Sequence, residues 1–270
     1  MNGLFRELAP IASSVWEEID EEARRTLKRC LAGRRLVDFS GPLGWSTAAV
    51  SRGRTAALEN APGSGMEARA RVVQPLVEFR KSFELSRSEL DAIPRGAQDA
   101  DLRPVVDAAR CAALAEDRAI FHGYSAGGIQ GICEATEETL TIPDDYVKYP
   151  GIVAEATSRL RSAGVDGPYA IALGPKCYTG LTQTTSGGYP VIQHVRREIE
   201  GPIVWAPGVD GAVVLSLRGG DFQLSVGRDF SIGYLDHTAT DVRLYVEESF
   251  TFLALAPEAA VSLSYAKKKK

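Results

Sequence analysis

Residues 123–127 read Gly-Tyr-Ser-Ala-Gly, a GxSxG spacing that would place Ser125 as the nucleophile of an acyl-transfer enzyme. That chemistry needs a strand entering the serine and a helix leaving it, because the strained turn exposes the hydroxyl and aims backbone N–H groups at the developing oxyanion. Here the incoming segment, VDAARCAALAEDRAIF, has a helical period, and the following GGIQGICEA carries three more glycines and no helix start. Asp210 and His237 follow in triad order, but a chain with three histidines and many aspartates yields such an order from composition alone. Helix termination plus a turn of positive φ accounts for the glycines. A serine hydrolase using Ser125 is kept as the alternative reading.

The remaining reactive residues form no recognisable constellation. His122, His194 and His237 lack HExxH or His/carboxylate spacing, and His122, at a helix end, suits a dipole-satisfying role. The glycines of 127–131 do not follow a strand, so they are not a dinucleotide fingerprint. The acidic run EATEET lacks calcium-loop spacing and reads as a solvated loop. Cys30, Cys111, Cys133 and Cys177 are too dispersed for a zinc site and read as buried free thiols. Trp16, Trp45 and Trp205 read as core residues. No catalytic residue, metal or cofactor is expected.

The formal charge of -4 supplies no global field toward nucleic acid or an anionic membrane. The first residues lack the basic flank and apolar stretch of a signal peptide, and no window approaches the ~20 apolar residues of a span. The expected location is the cytoplasm, with neither nucleic acid nor membrane as partner.

The elements that must position any site are clearer. A helix is expected over 14–31, with Trp16, Ile19, Ala23, Leu27, Cys30 and Leu31 on one stripe, a Ser14/Glu17 capping box and Gly33 as its stop. Residues 41–73 lose large apolar side chains, and NAPGSG (60–65) reads as the turn of a hairpin whose arms cannot hold a sheet alone; a hairpin leaning on a partner subunit and a disordered loop fit the composition equally. Residues 72–85 read as strand, and Ser86 with Glu89 as a helix start. A second long helix, 102–121, carries Leu102, Val106, Ala109, Ala113 and Ile120 on its stripe. Alternating helices and strands follow from 134, with a loop at 184–190. Period-two strands close the chain, marked by Phe222, Leu224 and Val226 and then by Val242, Leu244, Val246, Phe250 and Phe252.

Several long segments carry a resemblance. ELAPI, VWEEIDEEARRTLKRCLAGRRLVDFSGPLGW, PLVEFRKSFELSRSELD, EDRAIFHG, VDGPYAIAL, GGYP, RGGDFQLSVGRDFSIGY and VRLYVEESFTFLALAPEAAVSL run collinearly from Leu4 to Leu263. Together they resemble the encapsulin shell proteins, the linocin-type bacteriocin family. The resemblance implies an α+β fold, the tailed-phage major capsid fold of the Hong Kong 97 type. It divides the chain into an N-terminal helix and the start of a peripheral domain (1–45), an extended loop (46–71), peripheral domain (72–133), axial domain (134–219), return strands of the peripheral domain (220–264) and a flexible basic tail (265–270).

The function implied is that of a non-enzymatic shell protein. It would assemble with itself into an icosahedral nanocompartment, the smallest such shell, and capture a dye-decolourising peroxidase or a ferritin-like iron-oxidising protein by its C-terminal targeting peptide. Positions matching the cargo-peptide wall are Arg34, Asp38, Ile232, Tyr234 and Asp236; positions matching a five-fold pore are Thr185, Ser186, Gly187, Gly188 and Tyr189. Some members stack a flavin on an aromatic residue before the peripheral helix. Ser88 stands at that position here, so no flavin is expected. A DNA-packaging phage capsid subunit is the remaining alternative.

Overall fold

Helix α1 (Ser13–Cys30) forms where the apolar stripe begins and buries Val15, Trp16, Ile19, Ala23 and Cys30. The expected capping box is not made, because Ala12 occupies the N-cap position and Ser14 already lies inside the first turn. The computed structural model describes residues 3–266, so most of the basic tail lies outside the described residues. After α1 the chain makes one tight turn, Gly33–Arg35, where the Ile120 side chain leaves no room for a Cβ at Gly33. Strand β1 (Asp38–Ser40) follows.

Strands β2 (Ala49–Leu58) and β3 (Ala68–Pro75) form the anticipated hairpin, a separate two-stranded sheet with a bulge between Ser51 and Arg54. Its base is tied down by Gln74, whose amide donates to the Gly128 carbonyl at 3.0 Å. The expected strand over 72–85 is two: β4 (Val77–Ser86) begins beyond Leu76, whose N–H goes to the Ala48 carbonyl at 2.9 Å. Pro75 has no N–H to continue the ladder. Helix α2 (Arg87–Ala92) starts after Ser86 as expected, although Ser86 pairs with Ser88 and Glu89 accepts from the Asp101 N–H instead of capping. Helix α3 (Arg103–His122) buries Val105 where the stripe had suggested Val106, together with Ala109, Ala113 and Ile120.

Next come α4 (Ile132–Ala135), β5 (Thr139–Thr141), α5 (Tyr149–Ser162), β6 (Tyr169–Leu173), α6 (Pro175–Gln183), β7 (Thr185–Ser186), β8 (Tyr189–Pro190), α7 (Val191–Glu198), β9 (Ile203–Trp205) and β10 (Ala212–Ser216). The chain closes with β11 (Phe222–Val226), β12 (Ser231–His237), β13 (Asp241–Ala254) and β14 (Ala260–Ser264). Two five-stranded sheets result. In one, long β13 is the spine, antiparallel to β4, β11 and β12, with β1 parallel to β11. The other has the order β5-β14-β10-β6-β9. Strand β14 thus departs from the expected division, since it pairs with β10 and β5 and not with the other return strands.

Two apolar cores match the two sheets. One joins α1, α3, β4, β12 and β13 through Ile19, Phe83, Val105, Ile232 and Leu244; the other surrounds β6 and β10 and reaches Phe250, Phe252 and the end of α3 at Phe121. Trp45 belongs to neither. It is 56% exposed and lies under the Arg228 guanidinium, 4.5 Å from its ring. Cys111 is likewise exposed, while Cys30 and Cys177 are buried and all four thiols are free. No helix among the described residues is long and apolar enough to cross a membrane.

Candidate functional site

Arg34 and Ile232 come together. Both line a groove of about 400 Å³ between α1, the turn after it and β12, with Leu27, Leu31, Asp229 and Phe230 as neighbours. The N-terminal segment supplies one wall, because the Leu4 carbonyl accepts the Tyr234 N–H at 2.8 Å and Arg6 pairs with Asp20 at 2.8 Å while stacking over Trp16. The other expected residues lie apart. Asp38 lines a smaller cavity with Leu36 and Phe222, and its carboxylate accepts the Gly220 N–H at 2.6 Å. Tyr234 continues along β12, its hydroxyl 2.5 Å from His237 Nδ1, and Asp236, beyond a register shift, is paired with Arg243.

Arg34 is a structural hub more than a free groove charge. Its side chain is 17% exposed. Nε and Nη2 donate to Glu116, Nη2 also to Glu248, and Nη1 to Asp229 at 2.8 Å. Burial works against its charge, but the bonds and charges of Glu116, Glu248 and Asp229 offset this and hold Arg34 protonated far above the usual arginine range. Burial also pushes the neighbouring Asp117 up to about 7, against the N–H groups of Gly33 and Ala32 that it accepts. Ile232 is itself buried at 5% exposure, so the readily accessible apolar contacts of the groove are Leu27, Leu31 and Phe230.

The pore candidates form a small unit. Gly187 and Gly188, with φ of 59° and 83°, make the two-residue turn joining β7 to β8, a geometry requiring positive φ at both positions. A Cβ at either would meet open space, so it is the backbone angle that calls for glycine there. Tyr189 is 64% exposed and no charged side chain lies in 185–189. His194 Nε2 lies 3.1 Å from the Ser186 carbonyl, steadying the hairpin against α7.

Ser125 does not sit on a nucleophile elbow. Helix α3 leads into it, and the serine opens a single exposed turn, Ser125–Gly127. Among the described residues, Asp210 and His237 bond elsewhere: the Asp210 N–H donates to His122 Nε2 at 2.9 Å and His237 pairs with Tyr234. Burial pushes the His122 imidazole down, which suits its acceptor role.

Sequence reasoning missed the Glu116–Glu248–Arg34 network and the N-terminal wall. The first carried a signal, since Glu248 falls in the apolar phase of β13 and Glu116 and Asp117 on the stripe of α3. The second is held by the Leu4 carbonyl and by Arg6 against Asp20 and Trp16, contacts of a short segment that has no periodic pattern.

The family described as encapsulating protein for peroxidase matches residues 1–251. The type 1 encapsulin shell protein of Rhodospirillum rubrum is 57% identical over 270 residues, covering 97% of this chain and 96% of that protein. That of Mycobacterium tuberculosis is 48% identical over 266 residues, covering 98% and 100%. Among solved structures, the virus-like particle from Pyrococcus furiosus aligns with a TM-score of 0.65 at 15% identity over 91% of this chain and 98% of its own. A chain of Mycobacterium phage Bobi aligns with a TM-score of 0.57 at 13% identity over 88% and 91%. The fold is the tailed-phage capsid fold anticipated from the resemblance, and the chain belongs to the family of encapsulating proteins for peroxidase, the encapsulin shell proteins.

Proposed function

We propose that the chain is a non-catalytic shell subunit that closes with copies of itself into a small icosahedral compartment and takes up a cargo enzyme by its C-terminal targeting peptide. The observation carrying this reading is the β2–β3 hairpin. Among the described residues it pairs with no third strand, and most of its side chains are exposed, including Leu58, Met66 and Val73. Of its cations Arg52, Arg54, Arg69 and Arg71, only Arg69 has an ion pair among the described residues, at 3.6 Å with Glu67. Two-stranded ribbons are marginal alone, and unpaired edges invite strand addition or docking. A neighbouring copy satisfies both demands, and repeated heterologous contacts close when the rotation is right.

The family's description favours a peroxidase as cargo; a ferritin-like iron-oxidising protein is the second candidate. The groove beside α1 suits an extended peptide that orders on binding, with Leu27, Leu31 and Phe230 as apolar contacts and Lys28 and Asp20 as charges. Arg34 and Ile232 hold its walls. Thr185, Ser186, Gly187, Gly188 and Tyr189 line an opening at the tip of the axial domain where five copies meet, passing small ions without a strong charge filter.

Negative-stain microscopy with native mass analysis tests the proposal. Closed cages with a co-purified enzyme and a protein-like absorbance ratio are expected. A persistent lone chain contradicts the shell reading, and nucleic acid inside the particle favours a DNA-packaging capsid. For the groove, Phe230→Ala with Lys28→Glu is expected to abolish cargo loading while cages still form; undiminished loading removes the groove assignment.

A further inference from the structure

Strand β13 places Val242, Leu244, Val246, Phe250 and Phe252 in the core, and Glu248 stands in that series where another apolar residue is due. It is 1% exposed, and Glu116, reaching it from α3, is wholly buried. Arg34 Nη2 donates to Glu116 at 2.7 Å and also to Glu248, while Nη1 reaches Asp229 at the groove. One cation therefore faces three carboxylates, two of them shut off from water. The other charges around the cluster have their own partners. Asp117 of α3 accepts the N–H groups of Ala32 and Gly33, and Glu247, on the opposite side of β13, pairs with Arg80 of β4 and with Arg228.

The second oxygen of Glu248, Oε2, is buried with no hydrogen-bond partner among the described residues, and Glu248 Oε1 and Glu116 Oε2 meet at one guanidinium nitrogen, Arg34 Nη2, which brings the two carboxyl groups side by side. An ionised Glu248 accepts only; a protonated one donates. A single proton on Oε2 thus satisfies a stranded buried atom and removes the repulsion of two carboxylates that share one guanidinium. We propose that Glu248 stays protonated at neutral pH and up to about pH 8, donating a hydrogen bond through that proton to Glu116, so that Glu116, Glu248 and Arg34 form a proton-dependent latch fastening the exit of α1 to α3 and β13.

Burial, and then the charge of Glu116, raise Glu248 well above the ordinary 4.5. The folded chain then holds a proton that the unfolded chain releases. The stability this contributes is complete below 4.5 and is lost as pH rises, until Glu248 itself ionises. Arg34 and Asp229 also line the groove, so an opened latch loosens the wall offered to a cargo peptide; that consequence alone rests on the cargo reading.

The test is infrared spectroscopy of the intact protein in whatever assembly state it adopts, at about pH 8, above the about 7 of Asp117. A carbonyl band of a buried protonated carboxyl is expected in the wild type, vanishing on alkaline titration and absent from Glu248→Gln. Glu116→Gln, which removes the acceptor's charge, is expected to lose the band as well and serves if the first variant folds poorly. In parallel, the folding constant of the wild type should fall with pH above 4.5 about tenfold per unit more steeply than that of Glu248→Gln. No band in the wild type, a band surviving in Glu248→Gln, or parallel pH profiles would each overturn the latch. A groove that takes no cargo changes none of these readouts, so the two readings fail separately.

Discussion

The β2–β3 hairpin and the β6–β10 pair are both antiparallel ribbons, yet they face opposite environments. All ten residues of β6 and β10 are buried, each strand has a partner on both sides, and α5 and α6 pack nearby. The hairpin carries mostly small or charged side chains, most of them in solvent, and among the described residues neither outer edge has a partner strand. The difference teaches where stability is stored. The β6–β10 region holds its free energy inside one chain, whereas the hairpin can gain comparable burial only against another surface.

That contrast can be broken or sharpened by substitution. Arg34→Ala, in the buried network next to the first core, leaves Glu116 and Glu248 without their cation and is expected to destabilise the folded chain by about 3–5 kcal/mol in denaturant titrations. Ile171→Ala in β6 opens a cavity and should cost about 2–5 kcal/mol by the same measurement. Gly188→Ala places a Cβ at a φ of 83° and should cost about 1 kcal/mol, read as a small drop in Tm, although nothing crowds the site. Arg54→Glu with Arg71→Glu should change chain stability by less than about 0.5 kcal/mol while abolishing assembly in light scattering. If the hairpin reversal melts the chain as Ile171→Ala does, the distinction between the two ribbons is wrong.

Much of this architecture was readable because its cause is periodic. The stripe of α1 and the alternation of β11 and β13 follow from burying one face, and YAIAL reads as strand because all five residues face the core. The hairpin was readable from what it lacks, large apolar side chains. What escaped notice was of another kind. Val105 in place of Val106 is a rotation of one residue, set by how α3 meets α1 and β4 and not by its own sequence. Trp45 resembles a core residue by type, but its ring covers the backbone of Gly3 and sits under Arg228 at the surface. Strand β14 reads like the strands before it, and only the tertiary fold sends it to the second sheet.

The candidate site was legible in part for the same reason. Arg34 and Ile232 do share a groove, but Asp38 is held away by the loop at Gly220, and Asp236 by Arg243. Glu248 was missed, although a charged residue in the apolar phase of β13 is a local conflict that reports a buried partner.

The central claim, that the hairpin is completed only by another copy, is tested most directly by analytical ultracentrifugation of the full chain beside a variant with residues 49–75 replaced by a short Gly/Ser link. The account predicts a single large closed species for the full chain and a folded monomer, with an unchanged circular dichroism melt, for the variant. Large particles formed equally by both would contradict it.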